Sequence, residues 1–464
     1  LESQFAVAPD GVTASGRLDL SALTAHGYSS DVTAEALEVT VSAARCPFPG
    51  ALTSLSVPEL RQALAGVTIE GRAALRKAAL RGPGGLVCDG IALDLPVAWS
   101  VAGGLLAPGG QAGQLQTGAI RMDAIEAAGA RGRILLEGRR ARVEAELAGT
   151  APAVTITLEQ SVDWSRGLAL ALHYRVPSFQ VRSEDTWYRR FLGVEGLQVQ
   201  GLVSAEGDVR FDGRGLRTPC RAVLTAGEVK WPAHKLSITG IAASLDWRDL
   251  LQVQTAPFQE VRFASAKVYD VPVDGGRLVF QLDGPQSLCL ERCELNWCKG
   301  LVHTQALQLN LADPEVDLVL FAENVDFVTA LALIKGFKGK GTGVLNGKLP
   351  ISYRHGRLSY SRGYLYSVPG QGGRLELQSA GLLTSTVPPD HPSYSELRRA
   401  EKALEEFRLD LFRLDFVGKQ AGEPGARILL VGEGINEKVP VHLNLNVNGA
   451  IEDAINMGLR LGGM

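Results

Sequence analysis

Strict two-residue alternation of apolar and polar side chains constrains this chain more than any other feature. Leu168, Leu170, Leu172, Tyr174 and Val176 share one parity, with Ala169, Ala171, His173 and Arg175 on the other. Val441, Leu443, Leu445 and Val447 alternate with His442, Asn444, Asn446 and Asn448. The same period runs through Val154-Ile156-Leu158, Leu307-Leu309-Leu311, Val316-Leu318-Leu320 and Leu349-Ile351-Tyr353. Side chains on a strand point to opposite faces in turn, so each segment has one apolar and one polar face. Gly, Pro, Asn and Asp clusters such as Asp274-Gly275-Gly276 separate the runs and mark turns. The pattern predicts a mainly β protein built from antiparallel sheet.

Helical periodicity is scarce. The clearest case is 393–407, where Ser393 and Glu396 fit a capping box and Leu397, Ala400, Leu404 and Phe407 form one stripe. Its back is charged, with Arg398, Arg399, Lys402, Glu405 and Glu406, so it is expected to lie against the sheet as a lid or end plug. Three weaker helices, at 58–65, 184–192 and 325–334, each precede a glycine-bounded strand. Those strands hold Gly66 and Gly71, Gly196 and Gly201, and Gly343 and Gly347. The units recur at roughly 130 to 140 residues, a degenerate repeat. It divides the chain into 1–183, 184–323 and 324–464, read as one continuous, elongated body.

Composition removes several function classes. The net charge of −3 over 464 residues provides no basic surface for nucleic acid. No apolar run approaches the ~20 residues that cross a bilayer as a helix. Nothing at the start resembles a signal peptide, so the chain is expected to be a mature or truncated portion of a longer protein. No His-Glu-x-x-His or Gly-x-Ser-x-Gly motif is present. Residues 336–342 imitate a phosphate loop, but the lysine precedes the second glycine and cannot serve as in a Walker A loop. His303 and His442 fall on polar strand faces, and Asp246 and Asp249 read as surface carboxylates. Cys46, Cys88, Cys220, Cys289, Cys293 and Cys298 read as buried or strand-paired thiols, with disulfides or metal as alternatives. Placed on one strand, Cys289 and Cys293 would share a face about 13 Å apart, too far to bond to each other.

The remaining problem is burial. About 25 one-sided strands must cover their apolar faces, yet only about five short helices exist to do so. The sheet must close on a dry interior, as in a structural or adhesion β-solenoid, or leave an apolar trough for a lipid chain. An uncovered trough would far exceed the few hundred Å² of apolar patch that soluble monomers tolerate. A carbohydrate-active β-enzyme is a third, weaker reading, resting on scattered Asp, Glu and Trp.

Residues 324–377 carry a more specific signal. They read Asn324-Val325-Asp326-Phe327, then Gly341-Thr342-Gly343-Val344-Leu345-Asn346-Gly347-Lys348-Leu349-Pro350-Ile351, then Gly356-Arg357-Leu358-Ser359-Tyr360-Ser361-Arg362-Gly363-Tyr364-Leu365, and finally Pro369-Gly370-Gln371-Gly372-Gly373-Arg374-Leu375-Glu376-Leu377. A helix leading into Leu404-Glu405-Glu406-Phe407 follows, and then Gly432-Glu433-Gly434-Ile435-Asn436 before the last alternating strand. Over 184–464 this resembles the C-terminal part of the YdbH-like family, among AsmA-like and TamB-like envelope proteins. The resemblance implies a coiled antiparallel β-groove with a few short amphipathic helices, non-enzymatic and periplasmic. It would be anchored to the inner membrane through an N-terminal segment not in this chain. It further implies passage of phospholipids between inner and outer membranes, with a small envelope lipoprotein or periplasmic partner, and no cofactor beyond the phospholipid acyl chains. Leu307, Leu309, Leu318, Leu320, Leu349, Ile351, Leu375, Leu377, Leu443 and Leu445 are the leucines and isoleucine expected to line that groove.

Overall fold

A computed structural model describes residues 2–8, 11–27, 30–47, 56–82, 85–101, 104–106, 110–122, 125–165, 167–185, 187–192, 195–212, 215–268, 271–313, 315–332, 339–354, 357–368, 370–377, 384–385, 387–417, 426–436 and 438–447. Of the described residues, 71% are in strands and 8% in helices, and the strands form one large antiparallel sheet. Two compact units emerge: 1–195 with 202–222 and 247–251, and 196–201 with 223–246 and 252–464.

In the first unit the strands pair largely in chain order. Glu2–Ala8 pairs with Gly11–Gly27, followed by Ser30–Pro47, Thr68–Arg81 and Val87–Ser100. Three short strands, Gly104–Leu106, Gly113–Gln116 and Ile120–Met122, then bridge Val87–Ser100 to Ile125–Gly138. Arg140–Ala151, Thr155–Asp163 and Ala169–Val181 complete that ladder.

The second unit repeats the style with more splitting. Leu236–Asp249 pairs with Gln259–Phe263, and from there the ladder passes through Gly276–Leu282 to Ser287–Trp297. Ser287–Trp297 pairs with both Gly300–Thr304 and Leu307–Asn310. Gly300–Thr304 leads to Val316–Asp326, and that strand to Val344–Arg354. Gly363–Ser367, Phe407–Phe416, Ala426–Gly434 and Pro440–Val447 follow.

Four α-helices are described: α1 (Val57–Ala65), α2 (Trp187–Leu192), α3 (Phe327–Ala332) and α4 (Tyr394–Ala403). A capping box starts α1, the Ser56 amide donating to the Glu59 carboxylate at 2.8 Å while the Glu59 amide donates to Ser56 Oγ at 3.5 Å. The box expected at Ser393 does not form. Ser393 has helical torsions, φ −82° and ψ −4°, whereas a capping side chain needs an extended residue. Helix α4 also ends earlier than its apolar stripe, at Ala403, and Phe407 opens a strand. The Phe407-Arg408-Leu409-Asp410 alternation overrides the helical spacing there. Of the run 336–342 that imitates a phosphate loop, residues 336–338 lie outside the described residues, while Gly339–Thr342 is a strand.

The repeated glycines have a steric cause. A Cβ on Gly71 would sit 2.2 Å from the Thr40 carbonyl oxygen, and one on Gly347 would sit 2.0 Å from that of Tyr364. Both lie at bulges, where the register slips between Val41 and Ala43 and between Ala322 and Val325. A bulge pushes neighbouring backbones together and bends the strand, and only glycine leaves room. Gly347→Val should therefore destabilise the second unit by about 1–3 kcal/mol or more, as overpacking usually does. Urea denaturation checks this, and an unchanged midpoint would refute the steric account.

Candidate functional site: an uncovered apolar face

Cross-strand register places the alternating leucines in line. In the first unit Leu20 faces Leu37, Leu37 faces Leu75, Leu75 faces Leu93, and Leu93 faces Leu115. The row continues through Gly132 and Ala145 to Leu158 and Tyr174. Residues directly opposite on paired strands share a face, so this single row crosses nine strands. Beside it runs Leu18–Val39–Ala73–Leu95, and beyond the short strands Ile134–Val143.

The large side chains of this face stay only partly covered. Leu20 is 39% exposed and Leu18 37%, while Leu37, Leu75, Leu93, Leu115 and Leu158 are half-buried. Among the described residues, the buried apolar ones of the first unit are Ala34, Ala63, Ala74, Ala78, Cys88, Ala127, Ala130, Val154, Val181, Tyr188 and Cys220. No Leu, Ile or Phe is among them. A closed core would bury its large side chains first.

The opposite face is ionic. Arg17 bonds to Asp19 at 3.0 Å and Arg133 to Glu144 at 3.2 Å, while Arg72 pairs with Asp94 and His173 Nδ1 lies 2.9 Å from Asp208. The Ser165 hydroxyl and amide, with Arg140, hold the Asp163 carboxyl down at about 2. At the row's end, burial and the neighbouring Cys220 push the Tyr174 phenol above its ordinary range. A Cβ on Gly207 would lie 2.7 Å from that hydroxyl, so the glycine gives Tyr174 its space.

The second unit has a similar face and then a closed one. Val261, Leu278, Cys293, Thr304, Leu320 and Leu349 form one row. Phe280, Leu290 and Leu307 form another, with Leu282, Leu288 and Leu309 beside it. Leu318 faces Ile351, which faces Tyr360. The polar face carries Arg262, Arg277, Glu294, His303, Phe321 and Lys348 in register. There Arg262 and Arg277 lower the Glu260 carboxyl, and the His303 ring stacks on Phe321 with its Nε2 3.1 Å from Glu323.

Six of the ten expected groove residues therefore share one half-buried face: Leu307, Leu309, Leu318, Leu320, Leu349 and Ile351. Two belong elsewhere. Leu375 is 2% exposed inside a closed core with Val325, Phe327, Leu345, Leu404, Phe407, Leu409 and Phe412, and Leu443 packs against that core. The Phe327 and Phe412 rings lie 4.6 Å apart at its centre. Helix α4 contributes Ala403 and Leu404, its fit depending on Gly434, whose Cβ would fall 2.7 Å from that of Ala403. Thr384 Oγ1 donates to the buried Glu401 carboxylate at 2.7 Å, tying the preceding segment to the helix. The Leu377 and Leu445 side chains lie outside the described residues; their backbones pair with Gly339 and Ile428.

Two readings of single residues change. Asp249 is buried, not a surface carboxylate: it accepts from Thr218 Oγ1 at 2.8 Å and from the Leu251 amide at 3.0 Å. Cys289 and Cys293 do sit on one strand but on opposite faces. A bulge leaves Glu291 unpaired between Leu290↔Phe280 and Arg292↔Val279, so Cys293 faces Leu278 and Cys289 faces Gln281. All six cysteines are free thiols, with Cys88, Cys220 and Cys298 buried.

The leucine row of the first unit is the part that sequence reasoning did not assign. Its signal was present in the Leu18-Asp19-Leu20 and Leu93-Asp94-Leu95 alternations, but alignment across strands depends on register. No helix among the described residues is long and apolar enough to cross a membrane. No curated protein and no solved structure matches the chain. The family model for YdbH-like proteins, described as intermembrane phospholipid transport protein YdbH, matches residues 4–458, which extends the likeness through the first 183 residues as well. This chain belongs to the YdbH-like family.

Proposed function

We propose that the uncovered apolar faces carry phospholipid acyl chains, and that the protein is a non-enzymatic periplasmic bridge passing phospholipids between inner and outer membranes. The observation behind this reading is the nine-strand leucine row, whose large side chains stay half-exposed while only small or isolated residues are buried. Each leucine left uncovered forgoes roughly 1 kcal/mol or more of the burial free energy that a closed interior would supply. An acyl chain laid along the row recovers that free energy and leaves the ionic face in water. Membrership of a family described by intermembrane phospholipid transport supports the same cargo. A small envelope lipoprotein or periplasmic protein is the partner class, and anchorage to the inner membrane is part of the proposal. The closed-core alternative has local support only, at the Phe327–Phe407–Phe412 cluster.

Mass spectrometry of organic extracts from gently purified protein tests the reading. Phospholipid should co-purify in stoichiometric amount and be displaced by other long-chain lipids. Protein that folds and carries no lipid after exposure to phospholipid vesicles would overturn it.

A further inference from the structure

We propose that the second unit contains a dedicated phospholipid station, a split hairpin that holds the glycerol-ester and headgroup region while the acyl chains lie on the adjacent leucines. The inference rests on the lipid-carrying reading above and assigns it a place. Gly300–Thr304 and Val316–Asp326 form an ordinary hairpin as far as Thr304↔Leu320. Continuing that register would pair Ala306 with Leu318 and Leu307 with Asp317. It does not continue. Leu307–Asn310 ladders with residues 287–290, and residues 316–319 ladder with 350–353 on their far side. Among the described residues no ladder joins the two arms.

A cleft of about 530 Å³ opens at this split, lined by Gln305, Ala306, Leu307, Asp317, Leu318 and Ile351 among others. Its chemistry is mixed in the way an amphiphile requires. Leu307, Leu318 and Ile351 belong to the apolar face, while Asp317 pairs with Arg354 on the polar side. Each parted strand turns alternate N–H and C=O groups toward the gap, where the ladder leaves them without a strand partner. A pure hydrocarbon would desolvate those groups at a cost of a few kcal/mol apiece. Ester and phosphate oxygens instead accept from the amides, and bound water serves the carbonyls.

The closed core gives an independent reason for a station here. On the strand that carries Leu318, the face is sealed from Val325 onward, Val325 and Phe327 being 1% exposed. That seal begins roughly 20 Å along the strand from Leu318. Acyl chains on the open face meet it and go no further, so the split beside Leu318 is the way out to the polar side.

Photo-crosslinking from a benzophenone amino acid tests this, with protein loaded from vesicles of phosphatidylethanolamine and phosphatidylglycerol. The probe replaces exposed Ala306 at the split, Leu93 on the leucine row, or exposed Glu144 on the ionic face. Phospholipid adducts are expected at 306 and 93 and lost at 144. Tandem mass spectrometry should place the 306 adduct on glycerol or on acyl carbons next to the ester. An adduct at 93 with none at 306, or a 306 adduct on chain-terminal carbons, overturns the station and leaves the groove reading intact. Adducts equal at 144 and 306 also overturn it. Adducts at neither 306 nor 93 sink both.

Discussion

Leu93→Asp and Leu318→Asp are each expected to strip phospholipid from the protein while lowering the melting temperature little. Both leucines are half-buried, each in an apolar row of paired strands. In the lipid-free protein the new carboxylate stays in contact with water, so folding barely registers it. With an acyl chain laid across it, the same carboxylate loses that water, at a cost of several kcal/mol. That penalty is comparable to the whole gain from seating a few methylenes, at about 0.8 kcal/mol each. Bound phospholipid and thermal stability are to be measured on the same preparations. Collapse of the fold, from a parent protein that carries no lipid, would count for a closed interior and against transport.

Phe407→Ala should behave oppositely. Phe407 is fully buried, between the strand edge and the end of α4, in a core shared with Leu404, Leu409 and Phe412. Truncating such a phenylalanine typically costs about 3–5 kcal/mol, from lost burial plus the cavity left behind. Because two units are present, the loss should appear in one unfolding transition only. Lipid carried by the first unit should remain. A cost below about 1 kcal/mol would mean that the cluster is not a packed core. The pair of variants separates the two kinds of apolar surface in one chain.

Much of the fold was legible in the residues because alternation is a local property. The strands at Ala169–Val181, Val316–Asp326 and Pro440–Val447 fall where Leu170-Leu172, Leu318-Leu320 and Leu443-Leu445 predicted them. The helices before Gly71, Gly201 and Gly347 are also present, as α1, α2 and α3. What alternation does not encode is which apolar face another element covers. Leu375 and Leu349 have similar local sequence, yet Leu375 meets α4 and the Phe407 strand while Leu349 does not. The capping of α4 failed for a related reason: Ser393 lies in the helical region of backbone space, which a Ser-x-x-Glu spacing does not reveal. Six of the expected residues, Leu307, Leu309, Leu318, Leu320, Leu349 and Ile351, share one face because the period of two was read correctly on each of their strands.

The bulge at Glu291 has a consequence for how this chain tolerates change. A two-sided strand behaves like a reading frame of two letters, and Glu291 is a frameshift written into it. Before it the even-numbered Leu288 and Leu290 lie on the apolar face; after it the odd-numbered Cys293 and Leu295 do. Removing that one residue would not shorten the face by a step; it would invert everything downstream on the strand, sending leucine to water and arginine inward. Removing two would restore the frame. Insertions and deletions within these strands are therefore constrained by parity more than by length, and each bulge marks a place where the frame has been shifted and then held.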